Sequence, residues 1–350
     1  MNYPAIPRRT AFGGIVAISL AFTIIAPVLA QAPRPDHPAQ QIEIRSQAIE
    51  AFDPREPART RFGALAFRGG LVLESPHREF GGFSGLRVAA DGENFVSLTD
   101  KGNWLRGRIV YRDGRPIAIA DAEMAPILGP DGQPLAKRGW YDTEALVEDG
   151  GNLYVAIERV NQILRFDYAK DGLRARGYPI AVPSGLKTLP HNKSLECLVM
   201  VPKDLAPNSG PLAGTLIAIS ESGLDARGNL QSFLIGGSGG VFTLKRTDEF
   251  DVSDCAITPR GELLVLERRF SWTRGLAVRI RSIPLGTVKP GAIVDGPELA
   301  FADTNYQIDN MEGLSMHRSA DGALVLTLIS DNNFSPLQRT ILLQFTLVGE

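Results

Sequence analysis

The sequence predicts an all-β fold, a β-propeller of five or six blades, and three observations carry that prediction. From about Ile49 onward, short runs of Val, Ile, Leu and Phe are broken every eight to twelve residues by Gly, Asp, Asn or Pro. A multi-strand unit recurs, opening at residues 84, 144, 196, 254 and 312, thus 60, 52, 58 and 58 residues apart. Each unit also opens or closes on acids at matched positions, which a β-sandwich gives no reason for. No stretch carries the periodicity of an amphipathic helix of three turns or more.

The chain begins with a segment of another kind. Arg8 and Arg9 precede an uncharged apolar run, Ala11 to Ala30, that ends on Val28-Leu29-Ala30. This reads as a secretory signal peptide over residues 1–30, with cleavage after Ala32 a near alternative and an uncleaved anchor the competing reading. The Arg8-Arg9 pair with Phe12 has a trace of the twin-arginine pattern, but a general secretory signal fits better. Residues 31–47, rich in Pro, Gln and charge, read as a flexible lead-in, and 48–350 as one propeller domain.

Losing residues 1–30 removes two arginines and no acid, so the net charge moves from −2 to −4. A mildly acidic, periplasmic or secreted chain has no general attraction for nucleic acid or anionic membrane. No later run is apolar for long enough to span a bilayer once the signal is gone. Cys197 and Cys255 are the two cysteines, and at this stage a disulfide and a pair of buried thiols both stand. Zinc-type cysteine spacing is absent.

The units follow one pattern in order. Ser84–Val88 and Asn94–Leu98 flank Asp91-Gly92 and close on Thr99-Asp100; Thr143–Val147 and Asn152–Ile157 flank Gly150-Gly151 and close on Glu158-Arg159. Leu195–Val199 and Thr215–Ile219 are joined by a longer loop and close on Ser220-Glu221; Ser253–Ile257 and Glu262–Leu266 flank Arg260-Gly261 and close on Glu267-Arg268. In the fifth, Gly313–Met316 and Ala323–Ile329 flank Asp321-Gly322, a turn pair that tolerates positive φ. Antiparallel pairing then brings Glu312 and Asp331 to one end. The run Ile341–Val348 is left to pair with material around Phe62–Leu73 and close the ring, which removes an exposed edge.

Equivalent positions of a propeller meet around its central channel, so Glu144, Glu196, Asp254 and Glu312 are expected as a ring at one mouth, with the Glu312 tip facing solvent. Asp100, Glu158, Glu221, Glu267 and Asp331 are expected close by. Like charges gathered this way need a neutraliser. A hard divalent cation, most naturally Ca²⁺, is one; the interleaved Lys101, Arg159, Lys193, Arg268 and Arg269 are the other. We take Glu196, Asp254, Glu312 and Asp331, with Glu144 and Glu221, as metal-side carboxylates. Arg159 and Arg268, each directly after a tip acid, become candidate phosphate clamps, supported by Lys101 and Lys193. The bland alternative is that these acids cap turns and the bases pair with them.

A serine-esterase reading is weaker. Ser84 and Ser238 are flanked by glycine but miss the G-x-S-x-G elbow, and His191 is the one histidine placed beside a tip.

Gly82–Leu86, Thr99–Gly102, Asp142–Leu146, Asn192–Glu196, Ile219–Glu221, Leu263–Arg268, Asn310–Leu314 and Ser330–Phe334 together resemble the "esterase-like activity of phytase" group of bacterial secreted proteins. The resemblance covers roughly residues 60–348. It implies a propeller related to the calcium-dependent phytases, hydrolysis of a small-molecule phosphoester or ester, and Ca²⁺ as cofactor. The alternative is a non-catalytic propeller that binds a ligand or partner protein, with Ca²⁺ only structural.

Overall fold

Strands buried on both faces need apolar residues at every position, not at every second one, and Leu263-Leu264-Val265-Leu266 shows how this chain meets that need. Leu263 and Val265 pack into one apolar cluster while Leu264 and Leu266 pack into the next. The computed structural model describes residues 1, 2, 4 and 5, then 37–205, 210–237 and 239–349. Residues 37–350 form one compact unit. The expected signal peptide lies outside the described residues apart from four positions. No helix among the described residues is long and apolar enough to cross a membrane.

Five sheets form five blades, antiparallel except where Ile293–Val294 adds to the outer edge of blade 3 in parallel. Their innermost strands are Phe83–Val88, Thr143–Asp149, Leu195–Met200, Asp251–Ile257 and Asn310–Arg318. Each innermost strand touches the next, and the fifth touches the first, so the ring is closed. Five buried apolar clusters fill the five seams between blades. The one α-helix among the described residues is a single turn, Tyr168–Asp171.

Closure works as expected: Thr340–Leu347 pairs antiparallel with Leu65–Glu74, Thr340 opposite Leu73 through to Leu347 opposite Leu65. The described residues form no sixth blade; the leftover N-terminal strand completes the fifth. The lead-in departs from expectation. Arg45–Ile49 adds a further strand to blade 5, and Gln40–Gln41 pairs with the outer edge of blade 1. Unpaired edge N–H and C=O groups recruit extended chain whatever its composition, so polarity alone misreads this segment.

Cys197 and Cys255 form a disulfide across the seam of blades 3 and 4, with Cα atoms 5.4 Å apart. Both are buried among the apolar side chains of that seam.

Candidate functional site: the acidic mouth of the channel

A β-bulge sits near the start of every innermost strand. The extra residue is Ser84 in blade 1, Glu144 in blade 2, Glu196 in blade 3, Ser253 in blade 4 and Glu312 in blade 5. A bulge leaves its extra residue unpaired and re-aims its side chain. Three blades therefore deliver a glutamate to the mouth and two deliver a serine. Ser84 Oγ donates to the Thr143 carbonyl at 2.5 Å and Ser253 Oγ to the Met311 carbonyl at 3.0 Å, each tying its blade to the next.

This register corrects the expected ring by one residue. Ser253, not Asp254, is the blade 4 equivalent of the glutamates. Asp254 lies one place deeper and is fully buried, its carboxylate held by Arg87 Nη1 and Nη2 at 3.1 and 3.3 Å. It also accepts the Leu314 and Cys255 N–H groups at 2.7 Å. With its oxygens so occupied, Asp254 does not join the other acids as a metal-side group. Arg87 reaches from blade 1 and also donates to the Leu198 and Leu314 carbonyls at 3.1 and 2.9 Å. One guanidinium thus links blades 1, 3, 4 and 5 across the channel below the mouth.

The remaining acids do gather. Oxygens of Glu158, Glu196 and Glu221 lie within 4.8 Å of one another, and so do those of Asp142, Glu144 and Glu158. Glu158, in the turn that closes the first hairpin of blade 2, belongs to both sets. Its Oε1 accepts the Ser194 N–H at 2.6 Å. Sequence reasoning placed Glu158 nearby without choosing it, and Asp142 was visible only inside a motif; both sit in turns, where spacing does not reveal direction. Glu312 is buried rather than solvent-facing, contrary to expectation, and accepts from Asn310 Nδ2 at 2.7 Å. Asp331 is buried beside it but belongs to neither triplet; its Oδ1 caps the Asn333 N–H at 2.6 Å. Glu267 points away, paired with Arg279 and Arg281 at 2.7 and 2.5 Å.

The bases occupy two levels. Arg268 lies inside the cluster, its Nη2 3.3 Å from Glu221 and 3.2 Å from Glu312. Its fork is turned to carboxylates, which argues against the clamp role expected for it. The other three are at the rim. Arg159 lies 3.9 Å from Asp142 and stacks on Tyr141, and Lys101 Nζ sits over the Phe334 ring. Burial raises the pKa values of Glu221 and Asp251, and the exposed Lys193 is near enough to oppose part of that rise.

Burial and mutual repulsion dominate the electrostatics. Burial, then Glu196 and Glu312, hold Glu144 well above the ordinary carboxylate range; burial, then Glu221 and Glu312, do the same to Glu196. Burial pushes Glu158 up to about 7, Glu312 to about 8 against the pull of Arg268, and Asp100 to about 6. Burial acts to lower Arg268, yet Glu312, Glu196 and Glu221 outweigh it and raise its pKa. One buried cation does not balance this many acids.

The donor chemistry suits a hard divalent cation. Both triplets are wholly carboxylate, and Glu196 Oε2 is a buried oxygen with no hydrogen-bond partner. Oxygen-only donors match Ca²⁺ or Mg²⁺ and not the softer metals.

The pH dependence follows from the sign of these shifts. Acids whose folded pKa is raised keep their protons in the fold after the unfolded chain has lost them, so the cation-free protein loses stability as pH rises from about 4.5 toward 8. Melting temperatures in chelator are expected to fall over that window, and added Ca²⁺ to raise them increasingly with pH. A flat profile in chelator disproves the crowding of ionised acids.

The weaker serine-esterase reading finds no support in the geometry of the described residues. Ser84 is buried and bonded to a backbone carbonyl, Ser238 lies outside the described residues, and His191 is exposed without a side-chain partner among the hydrogen bonds of the described residues. His317 is a buried strand residue.

A family model described as "Phytase-like: Esterase-like activity of phytase" matches residues 78–334. No curated protein matches the chain. Solved structures show low likeness. A glucose-dehydrogenase-type oxidoreductase of Thermus thermophilus has a TM-score of 0.33 at 16% identity, over 86% of this chain and 100% of its own. Myxococcus xanthus glutaminyl cyclase has 0.41 at 11%, over 80% and 97%. Streptomyces coelicolor aldose sugar dehydrogenase has 0.38 at 14%, over 79% and 97%. Likenesses at these scores carry no weight for function.

Proposed function

The chain belongs to the esterase-like activity of phytase family, and from that premise we propose that the acidic mouth is a cation-dependent centre hydrolysing phosphoesters or other esters. The observation that carries this reading is the pair of carboxylate triplets sharing Glu158, each with two buried members and one half-buried, beneath a rim that carries Arg159, Lys193 and Lys101.

Glu158, Glu196 and Glu221 would hold a Ca²⁺ ion, and Asp142, Glu144 and Glu158 offer a second, overlapping set. When bound, such an ion supplies Lewis acidity toward ester or phosphoryl oxygens and lowers the pKa of coordinated water. The chain's own residues do the rest. Arg268 holds Glu221 and Glu312 in position and offsets part of their repulsion. Lys193, Arg159 and Lys101 present positive charge at the rim, where a substrate's anionic oxygens arrive.

A disulfide persists in an oxidising compartment, which supports a periplasmic or secreted location together with the N-terminal signal expected from sequence.

The test is turnover of p-nitrophenyl phosphate and p-nitrophenyl acetate with Ca²⁺, Mg²⁺, Zn²⁺ or chelator. Hydrolysis that needs Ca²⁺ is expected, and hydrolysis indifferent to chelator refutes the reading. Glu196→Gln and Glu158→Gln are expected to weaken Ca²⁺ binding about tenfold or more, read by calorimetry, because affinity follows the number of charged ligands. A second reading has its own observation. Glu144, Glu196 and Glu312 are nearly inaccessible, which suits a structural ion in a ligand-binding propeller. Thermal stabilisation by Ca²⁺ with no turnover of any ester selects it.

A further inference from the structure

The connection between the second and third strands of every blade lies on the mouth side, and two of these connections carry apolar side chains into solvent. In blade 4, Glu262–Ser271 and Gly275–Pro284 are paired without a break to Ser271 opposite Gly275, beyond Arg268 at the mouth. At that hairpin tip Phe270 is 61% and Trp272 94% exposed, and in the blade 5 connection Leu337 is 92% exposed. Single exposed apolar residues need no explanation, but a nearly bare tryptophan stacked edge-on against an exposed phenylalanine, 5.4 Å between ring centroids, is different.

The tip is held in place. Arg274 pairs with Glu249, its N–H donates to Ser271 Oγ at 3.0 Å, and Arg269 lies over the Phe250 ring. Side chains alternate along an unbroken strand, so Phe270 stands on the same face as Arg268, the guanidinium inside the acidic cluster. Three residues of strand carry the chain about 10 Å beyond Arg268 to Ser271, and Trp272 follows in the turn. A rigid aromatic pair at that distance from a polar, rim-charged mouth matches a molecule with a charged head and an apolar tail.

We infer that the Phe270–Trp272 tip is the subsite for the apolar portion of an amphipathic ester whose ester group lies at the mouth. The inference rests on the mouth being the ester-binding centre. The charge pattern fits one such molecule better than a second protein: Arg274 and Arg269 near the tip are paired or stacked, whereas the exposed Lys193 lies at the mouth end, where the anionic head belongs.

The probe is monododecyl phosphate at submicellar concentration with Ca²⁺, against inorganic phosphate and dodecyl maltoside. Of the three tryptophans, Trp104 is buried and Trp140 is half-buried under Arg138, so Trp272 is the fluorophore most open to a bound tail. A saturable blue shift is expected with dodecyl phosphate and not with phosphate. By calorimetry, the Phe270→Ser/Trp272→Ser variant is expected to bind dodecyl phosphate about tenfold more weakly. It should keep inorganic phosphate affinity and melting temperature, since both rings are exposed.

Equal affinity of wild type and variant overturns the inference. So does equal binding of dodecyl maltoside, which removes the headgroup from recognition. Sedimentation with phosphatidylglycerol vesicles without any response to monomeric dodecyl phosphate also overturns it, in favour of a membrane surface. The two readings fail separately. Tip-dependent binding with no ester turnover sinks hydrolysis and keeps the subsite. Turnover of short- and long-chain p-nitrophenyl esters equally indifferent to the tip sinks the subsite and keeps hydrolysis.

Discussion

Arg87→Met is expected to lower stability by about 3–5 kcal/mol, the range for a buried ion pair that loses one partner. The guanidinium is the cation paired with Asp254, and its N–H groups also satisfy carbonyls of blades 3 and 5. Removing it strands a fully buried carboxylate. Burial already pushes Asp254 up to about 6 against the attraction of Arg87, so at neutral pH the group is charged only because its partner is there. The sign is definite: with a raised folded pKa, this site favours the fold more below pH 4 than above pH 6. Arg87→Met/Asp254→Asn is expected to recover most of the loss, because a neutral amide replaces the orphaned charge. Urea midpoints of the three proteins measure both effects. A single variant within about 1 kcal/mol of wild type, as for an exposed pair, disproves the buried Arg87–Asp254 link across the channel.

Breaking the Cys197–Cys255 bridge ranks next. The two cysteines are 58 residues apart, and closing a loop of that length restricts the unfolded chain by about 4 kcal/mol in the loop-entropy account. Cys197→Ala/Cys255→Ala is expected to lose about that much, with some further loss from the packing of the seam. Since both sulfur-bearing residues are buried, the folded protein should also resist dithiothreitol until it opens. Equal urea midpoints for the oxidised and reduced protein contradict a stabilising bridge.

How much was legible varied with the kind of feature. Blade period, hairpin turns and ring closure came directly from the chain, because strand alternation and turn residues are local signals. The lead-in was misread because a sheet edge, not its own composition, makes Arg45–Ile49 a strand. Asp254 was misplaced because a bulge shifts register by one residue without altering the pattern of residue types; Ser253 and Asp254 look equally suited until pairing is seen. Arg87 gave no signal at all, since an arginine inside an apolar strand reads as solvated until the strand is found at the axis.

Sequence alone determined that this is an all-β propeller whose repeats carry acids to one end, since spacing and turn chemistry act over a few residues. Tertiary structure alone decided which acids meet, which one Arg87 claims, that the cysteines pair, and that Trp272 stands bare beyond the mouth. Those outcomes depend on the angles between blades and the direction of single side chains, and both are set by packing between segments far apart in the chain.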